Sequence, residues 1–545
     1  MKPFGAALLS PREPLPETFA EAAPARNRVR ILAVAVFAVL LLLAGRAVQL
    51  AFSGDPLAEP RRSTTIASTP RADVVDRNGV LLATTVRAYA LTAAPARVWN
   101  AAETADALRR LFPDLDRAAT VRRLSDATRQ LVFLRRGLSE DERAQVHALG
   151  LAGIGFEPED RRIYPHGAMA AHVLGFTDVD LNPLAGVERG LDAQIRAAGE
   201  AGRPVRLSLD VRLQYALESE LDAAARAAGA SGAAGVLLDG RTGEALALAS
   251  WPRFDPNEPG SAGADARRDR VAGDVHELGS TIKPFTVAMA LQEEATSAGE
   301  LFDLSQPFSI DGSLIEDHET VRGLASLRDI LAQSSNIGAA RLALRLGGAR
   351  QRAYLERLGL TQASRLELGF NQAPLAPHAR SRRDVAGLGF GYGLAATPAA
   401  LAGAYTVFAN EGRLVAPTLI ARAPDAEIER RQVFSPQVTR QVLAYLRAAV
   451  INGTGRAADV PGLAVAGKTG TAEKLDEESY DESRNFSSFA GVFPAHDPRY
   501  VIVIALDDTG EGAAGGMVAA PVVARTLRRI APMLGLRVEP AAAAR

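Results

Sequence analysis

Glu277-Leu278-Gly279-Ser280-Thr281-Ile282-Lys283-Pro284 decides the fold of this chain once its neighbours are read with it. Pro284 suits the first turn of a helix, where its missing N–H costs little. A helix starting there puts residues three apart on one face, so the Ser280 hydroxyl and the Lys283 amine can meet. Serine at its ordinary pKa is a weak nucleophile and needs a base beside it. Lysine serves as that base only when neutral, and its reference pKa is about 10.4. Burial and a second nearby cation would both lower it. Taken alone, Ser-x-x-Lys is weak evidence, because a serine at a helix start also has a purely structural use as an N-cap.

Composition singles out the lysine. Lysine and arginine total 62 of the 545 residues, yet only four are lysines: Lys2, Lys283, Lys468 and Lys474. A chain that otherwise uses arginine keeps lysine where a cation must be able to lose its proton, which arginine in proteins does not do. Hydrophobic residues make up 47%, ample for sizeable cores, and the length suggests two to four domains. The formal net charge is −1, so the molecule as a whole offers no cationic surface for nucleic acid. The absence of cysteine excludes disulfides, thiolate zinc sites and a cysteine nucleophile.

Two later stretches supply what Ser280 and Lys283 lack. Ser334-Ser335-Asn336 offers Ser334 as a proton relay between Lys283 and a leaving group, and the Asn336 amide as a holder of Lys283 or of a substrate backbone. On its own it fits a polar loop between helices better. Ala466-Gly467-Lys468-Thr469-Gly470-Thr471-Ala472 alternates small and polar residues, as suits a strand against which a substrate lies. Lys468 is the like charge that lowers the Lys283 pKa, and with Thr469 it can bind a substrate carboxylate. The glycines, Gly470 among them, let another backbone approach closely. The N–H groups of Ser280 and Thr471 would form an oxyanion hole. Ser280, Lys283, Ser334, Asn336 and Lys468 are thus the expected catalytic set, and Thr469, Gly470 and Thr471 the expected substrate-binding set. The chemistry calls for no metal and no cofactor.

Outward from these motifs, Leu213–Ala228 has helical spacing. Ala234–Asp239, a Gly-Arg-Thr-Gly turn and Glu244–Trp251 read as strand, turn and strand. Helices are expected to dominate from Thr281 to Gly347, and Ser487–Phe493 and Tyr500–Leu506 close the chain as a second strand pair. Strands first and last with helices between predict an α+β domain over residues 211–535, an antiparallel sheet covered by helices. Residues 71–210 read as an irregular α+β pedestal. It has an Asn78-Gly79 hairpin within Val74–Leu82, helices over Ala101–Leu111 and Glu140–Leu149, and no catalytic constellation.

Residues 1–30 are polar and carry Lys2, Arg12, Arg26, Arg28 and Arg30. Residues 31–52 are mostly apolar, with Arg46 able to snorkel from a helix end. Together they predict a cytoplasmic tail and a single-pass transmembrane anchor with its N-terminus inside. The polar stretch is long for a signal peptide and no clean small-x-small cleavage site follows. Residues 53–70 read as a linker and the Ala-rich residues 536–545 as a disordered tail.

A rival pattern overlaps the third motif. Gly462–Thr469 satisfies G-x-x-x-x-G-K-[ST], and Val501–Leu506 before Asp507-Asp508 mimics the second strand of a P-loop NTPase. That reading needs strand, loop and helix in order, whereas Leu463–Ala466 is apolar and Thr471–Ser483 has no helical face. Gly387–Gly393 imitates a dinucleotide fingerprint without an acidic residue in the right strand context. The seven histidines are scattered, His318 reads as a surface or loop residue, and no zinc-protease or Ser-His-Asp signature is present.

Ser280-x-x-Lys283, Ser334-x-Asn336 and Lys468-Thr469-Gly470, in that order, resemble the motif set of penicillin-binding proteins and class A β-lactamases. The whole chain resembles a class B penicillin-binding protein, a peptidoglycan D,D-transpeptidase, and most of all the division-specific type. Arg71–Leu82, Arg162–Phe176, Gly389–Gly393 leading to Thr397-Pro398, Asn452–Gly455 and Phe493–Pro498 carry the resemblance beyond the motifs. It implies a transmembrane helix, a dimerisation-type pedestal and a penicillin-binding transpeptidase domain in the periplasm. It further implies stem peptides ending in D-Ala-D-Ala as substrates and β-lactams that acylate Ser280. A membrane glycan polymerase and other division proteins are implied as partners at the inner membrane of the septum. An elongation-type transpeptidase or a D,D-carboxypeptidase of the same fold stays open. Two departures put local turn geometry in question: Leu278 stands where the family usually has proline, and Ala72 follows Arg71 where it usually has glycine.

Overall fold

A computed structural model describes residues 22–52, 71–318, 323–376, 381–476, 479–510 and 514–538. It divides into two compact units, Met1–Ser68 and Thr69–Arg545. In the first, helix Ala22–Phe52 contains the run expected as an anchor and begins well before residue 31. Ile31, Leu32, Val34, Phe37 and Leu42 are all more than half exposed. Side chains are described only for residues 30–46 of this helix, and among the described residues no helix is long and apolar enough to cross a membrane. Most of the expected tail and the whole 53–70 linker lie outside the described residues.

The second unit opens on the pedestal. Strands β1 (Val74–Val75), β2 (Leu81–Ala93), β3 (Val132–Leu138), β4 (Ile154–Ile163) and β5 (Val205–Arg206) form one sheet in which the long β2 pairs antiparallel with β1, β3 and β4. The expected tight Asn-Gly turn is a wider loop. The Asp76 carboxylate accepts the N–H groups of Asn78 and Val80, each at 2.8 Å, and Gly79 (φ +89°) takes a positive φ while Asn78 does not. A two-residue hairpin of the mirror-image type needs positive φ at both central positions; here an aspartate side chain closes the loop instead.

Helices Ala101–Leu111 and Glu140–Ala148 form where periodicity places them. Asn100 caps the first and a Ser139–Glu142 capping box the second. They cover a pedestal core built on Leu91, Leu108, Phe112, Val132 and Leu138. Arg71 and Arg162 both close on the buried carboxylate of Glu188, tying the start of the sheet to β4 and to helix Gly186–Gly190.

Strands β6 (Gly232–Asp239) and β7 (Ala245–Trp251) begin the second domain. Four short antiparallel pairs follow: β8 (His276–Glu277) with β13 (Ala395–Ala396), β9 (Leu301–Asp303) with β12 (Leu324–Ser326), β10 (Phe308–Ile310) with β11 (Ser313–Ile315), and β14 (Arg413–Leu414) with β15 (Arg431–Gln432). Strands β16 (Ala466–Asp476), β17 (Ser479–Phe493) and β18 (Tyr500–Asp507) complete the main sheet, ordered β16-β17-β18-β6-β7 and antiparallel throughout. Tyr500 pairs with Asp239, so first and last strands meet in its middle.

Both faces of this sheet are covered, which explains the unbroken apolar run of β18. Val501 and Val503 join one core with Phe285, Tyr405 and Phe408, while Ile502 and Ile504 join the other with Leu217, Leu221, Val523 and Leu527. Two expectations need correcting. Leu301–Ser326 is not helical but holds β9–β12, whose three-residue strands are too short to show a period of two. The tail expected from residue 536 is ordered at its start, where Leu536 and Val538 pack against the second core; residues 539–545 lie outside the described residues.

Candidate active site

The Ser280 motif sits where the helical layer meets β16. Gly279–Ile282 forms a single 3₁₀ turn that runs into helix Lys283–Gln292, with Pro284 in its first turn. The Thr281 N–H and hydroxyl both reach the Leu278 carbonyl, at 3.2 and 2.6 Å. Leu278 in turn donates its N–H to the Leu394 carbonyl (3.3 Å), a bond that proline in its place could not make. Gly279 takes φ +49°, and a Cβ there would lie 2.8 Å from the Thr471 carbonyl oxygen. The serine loop and β16 therefore touch backbone to backbone. Ser280 lies in a first helical turn, whose N–H groups lack acceptors within the helix.

Lys283 is wholly buried. Its Nζ lies 2.6 Å from the Ser334 carbonyl oxygen, 2.7 Å from Asn336 Oδ1 and 3.2 Å from Ser334 Oγ. The Ser334 and Ser280 hydroxyl oxygens are 2.9 Å apart. Ser334 adopts φ +63°, a left-handed conformation uncommon for a residue with a Cβ, at the turn between helices Leu327–Ala332 and Asn336–Leu346. Lys283 thus reaches Ser280 through Ser334. The hydrogen bonds of the amine go to Ser334 and Asn336 rather than directly to Ser280. Burial holds the Lys283 amine well below the usual lysine range; the Lys468 charge pushes the same way and Asp317 opposes it.

A neutral amine has two N–H groups and one lone pair. Asn336 gives its Nδ2 to the Glu316 carbonyl (3.0 Å), so its Oδ1 is what faces the lysine. The Ser334 carbonyl and Asn336 Oδ1 can only accept, and they take the two N–H groups. When the amine is neutral, its lone pair is left for the side facing the Ser334 hydroxyl, which here donates to Ser280.

Lys468, also fully buried, projects from the edge strand β16. Its Nζ approaches the Thr469 carbonyl (3.1 Å), Thr454 Oγ1 (3.3 Å) and Thr469 Oγ1 (3.4 Å), and burial pushes its pKa down to about 7. The Thr454 and Thr469 hydroxyls are 2.7 Å apart. Gly470 is buried, and Thr471 Oγ1 accepts the Gly515 N–H (3.1 Å). Ser280, Lys283, Ser334 and Asn336 are thus joined by hydrogen bonds, and the strand that carries Lys468, Thr469, Gly470 and Thr471 lies against the serine loop. Among the described residues, no group of three or more His, Asp or Glu side chains is placed to hold a metal ion.

Three neighbours stand outside the three motifs, two of them, Thr454 and Gly391, in the stretches Asn452–Gly455 and Gly389–Gly393 that carry the resemblance. Thr454 bridges Lys468 and Thr469 from the turn after helix Pro436–Asn452, and Asp317 holds the start of helix Asn336–Leu346. Gly391, from the false dinucleotide pattern, caps helix Arg382–Phe390 and supports the serine loop. Its carbonyl accepts the Gly279 N–H (3.2 Å), and a Cβ on it would fall 2.0 Å from the Gly279 carbonyl oxygen. Gly391→Ala is expected to displace Ser280 and slow acylation by about 10²-fold, the usual cost of ångström-scale misplacement; a rate equal to the parent's in stopped-flow labelling would contradict this. The P-loop pattern also dissolves here, since Lys468 lies within a strand continuing to Asp476, with no helix after it.

The chain was compared with known proteins. Residues 233–528 match the family described as penicillin binding protein transpeptidase domain, and residues 66–195 the penicillin-binding protein dimerisation domain. The chain is 42% identical to the probable peptidoglycan D,D-transpeptidase FtsI of Caulobacter vibrioides, over 86% of this chain and 82% of that protein. It is 31% identical to peptidoglycan D,D-transpeptidase FtsI of Escherichia coli K12, over 84% and 82%. Penicillin binding protein 3 of Mycobacterium tuberculosis, solved in complex with aztreonam, superposes with a TM-score of 0.67 at 26% identity, over 86% of this chain and 97% of that one. A serine, two buried lysines and an antiparallel sheet set on a dimerisation-type pedestal thus have a shared ancestry: the chain belongs to the class B penicillin-binding protein transpeptidases, with the division-type FtsI proteins among its relatives.

Proposed function

We propose that this chain cross-links peptidoglycan stem peptides during septal wall synthesis, through an acyl-enzyme on Ser280. The observation that carries the reading is the aligned path from the Ser280 hydroxyl through Ser334 Oγ, 2.9 Å away, to the buried amine of Lys283. Ser280 Oγ attacks the carbonyl carbon of the penultimate D-Ala. Its proton passes to Ser334 while the Ser334 proton passes to neutral Lys283. The oxyanion rests on the N–H groups of Ser280 and Thr471. Lys468 and Thr469 hold the terminal carboxylate, and Gly470 and Thr471 line the open edge of β16 along which the peptide backbone lies. As the C–N bond breaks, the departing D-Ala amine takes a proton from Ser334, which Lys283 replenishes. The side-chain amine of a second stem peptide then attacks the acyl carbon by the reverse path, regenerating the serine. Asn336 keeps Lys283 aimed throughout.

β-Lactams enter the same path as mimics of the D-Ala-D-Ala end. The apolar run from residue 31 within helix Ala22–Phe52, with Lys2, Arg12, Arg26, Arg28 and Arg30 ahead of it, supports a single inner-membrane anchor with the enzyme in the periplasm. The division-type relatives support a septal setting, with a membrane glycan polymerase and other division proteins as partners. Mass spectrometry of the full chain after exposure to penicillin tests the reading. The adduct is expected on the Ser280 peptide and should vanish in Ser280→Ala; an adduct elsewhere, or none on the parent chain, sinks it.

A further inference from the structure

We propose that Asp317 is a positioning residue of the site, fixing the orientation in which Asn336 presents its amide oxygen to Lys283; this rests on the acyl-enzyme reading above. Asp317 lies just beyond β11, in a stretch without any catalytic motif. Its Oδ1 accepts the backbone N–H groups of Asn336 and Ile337, at 2.5 and 3.0 Å, and its Oδ2 accepts the Ser335 hydroxyl at 2.6 Å. The preceding residue, Glu316, takes the Asn336 side-chain NH₂ on its carbonyl (3.0 Å). Two consecutive residues therefore hold Asn336 by its backbone and by its side chain at once.

The side-chain hold matters because the two ends of an amide differ in chemistry but hardly in shape. With Nδ2 fixed on Glu316, only Oδ1 can meet Lys283. An amide turned the other way would offer N–H groups to the lysine and compete for its lone pair, which the relay through Ser334 requires. Asp317 keeps Glu316 and Asn336 in register for this.

Ordinary helix capping does not account for the residue. Ser335 already caps helix Asn336–Leu346, its Oγ accepting the Gly338 N–H at 2.9 Å. Asp317 instead takes the first two N–H groups of that helix, which have no acceptor within it, and its charge suits the positive end of the helix dipole. The charge also reaches the lysine. Two charged groups act on Lys283, the Lys468 cation from β16 and the Asp317 carboxylate from beyond β11, and they act in opposite senses.

The test uses the full chain, a fluorescent penicillin, and acylation rates measured across pH beside thermal melts. Asp317→Ala is expected to slow acylation by about tenfold or more, as loss of hydrogen bonds to a charged group does. Its melting midpoint should stay near the parent's, because Ser335 still caps the helix. The acidic limb of its rate profile should move to lower pH, since removing an anion makes Lys283 easier to deprotonate. Asp317→Asn keeps the shape without the charge, so it should recover part of the rate and retain the moved limb; it also carries the test should the alanine variant not fold. Parent-like rates in both variants overturn the proposal, and so does a rate loss with an unmoved limb. A parent chain that penicillin does not acylate would instead overturn the acyl-enzyme reading.

Discussion

Lys283→Arg is expected to slow acylation by penicillin by about 10²- to 10⁴-fold, the range ascribed to a positioned general base. Arginine keeps the positive charge but cannot lose it at any working pH. In the parent, Lys283 is fully buried, and burial with the neighbouring Lys468 cation holds its amine well below the usual lysine range. The neutral form is the active one. The rate should therefore be full above the lowered pKa and fall as pH drops through it. Lys283→Met, which removes both charge and base, should lose as much as the arginine variant. If charge alone mattered, arginine would outperform methionine. Undiminished acylation in Lys283→Arg, read by fluorescent-penicillin labelling, would remove the lysine from the mechanism.

The second large effect lies in the pedestal, far from any chemistry. Glu188 is buried with both carboxylate oxygens engaged: Oε2 accepts Arg71 Nε at 3.1 Å, and Oε1 accepts Arg162 Nε at 2.7 Å. The side chains of Arg71, Arg162 and Glu188 are each at most 1% exposed. Glu188→Ala leaves two guanidinium groups out of water facing one remaining carboxylate, that of Asp192 on Arg71. Removing one partner of a buried ion pair costs about 3–5 kcal/mol, so the unfolding midpoint should fall by about 10 °C. Replacing all three with apolar residues of similar volume should recover much of that loss. A melt of Glu188→Ala that overlays the parent's would show that the network is not what ties the pedestal together.

How much was legible from residues alone follows from where each interaction lives. The three motifs keep their chemistry within a few consecutive residues, so Ser280, Lys283, Ser334 and Lys468 could be named before any distance was known. The strand Tyr500–Leu506 was legible too, from its apolar run, but the two cores it feeds were not, since an apolar run does not say which elements cover its faces. Asp317 was not. An isolated aspartate in a polar stretch reads as solvated, and its value arises only where the hairpin after β10 folds against a helix start. Ser334 was legible as a relay toward the leaving group, but its place between Ser280 and Lys283 was not, since that depends on the left-handed turn at Ser334 that brings both its oxygens to Lys283. The Asn78-Gly79 hairpin misled for a related reason: the Asp76 side chain competes with the backbone for closing the loop, and a turn preference does not weigh that.

The pairing of β6 with β18 also fixes when the chain can become reactive. β6 is synthesised long before its partner, residues 500–507. Pairings so distant along the chain form slowly, and until they form β6 offers an open edge to other chains. Lys468 belongs to the same late group of strands, and the burial of Lys283 needs the finished domain around it. Without that burial the chief cause of the lowered Lys283 pKa is missing. The nucleophile is therefore expected to come into being with the pairing of these strands, and acylation to follow that pairing rather than precede it.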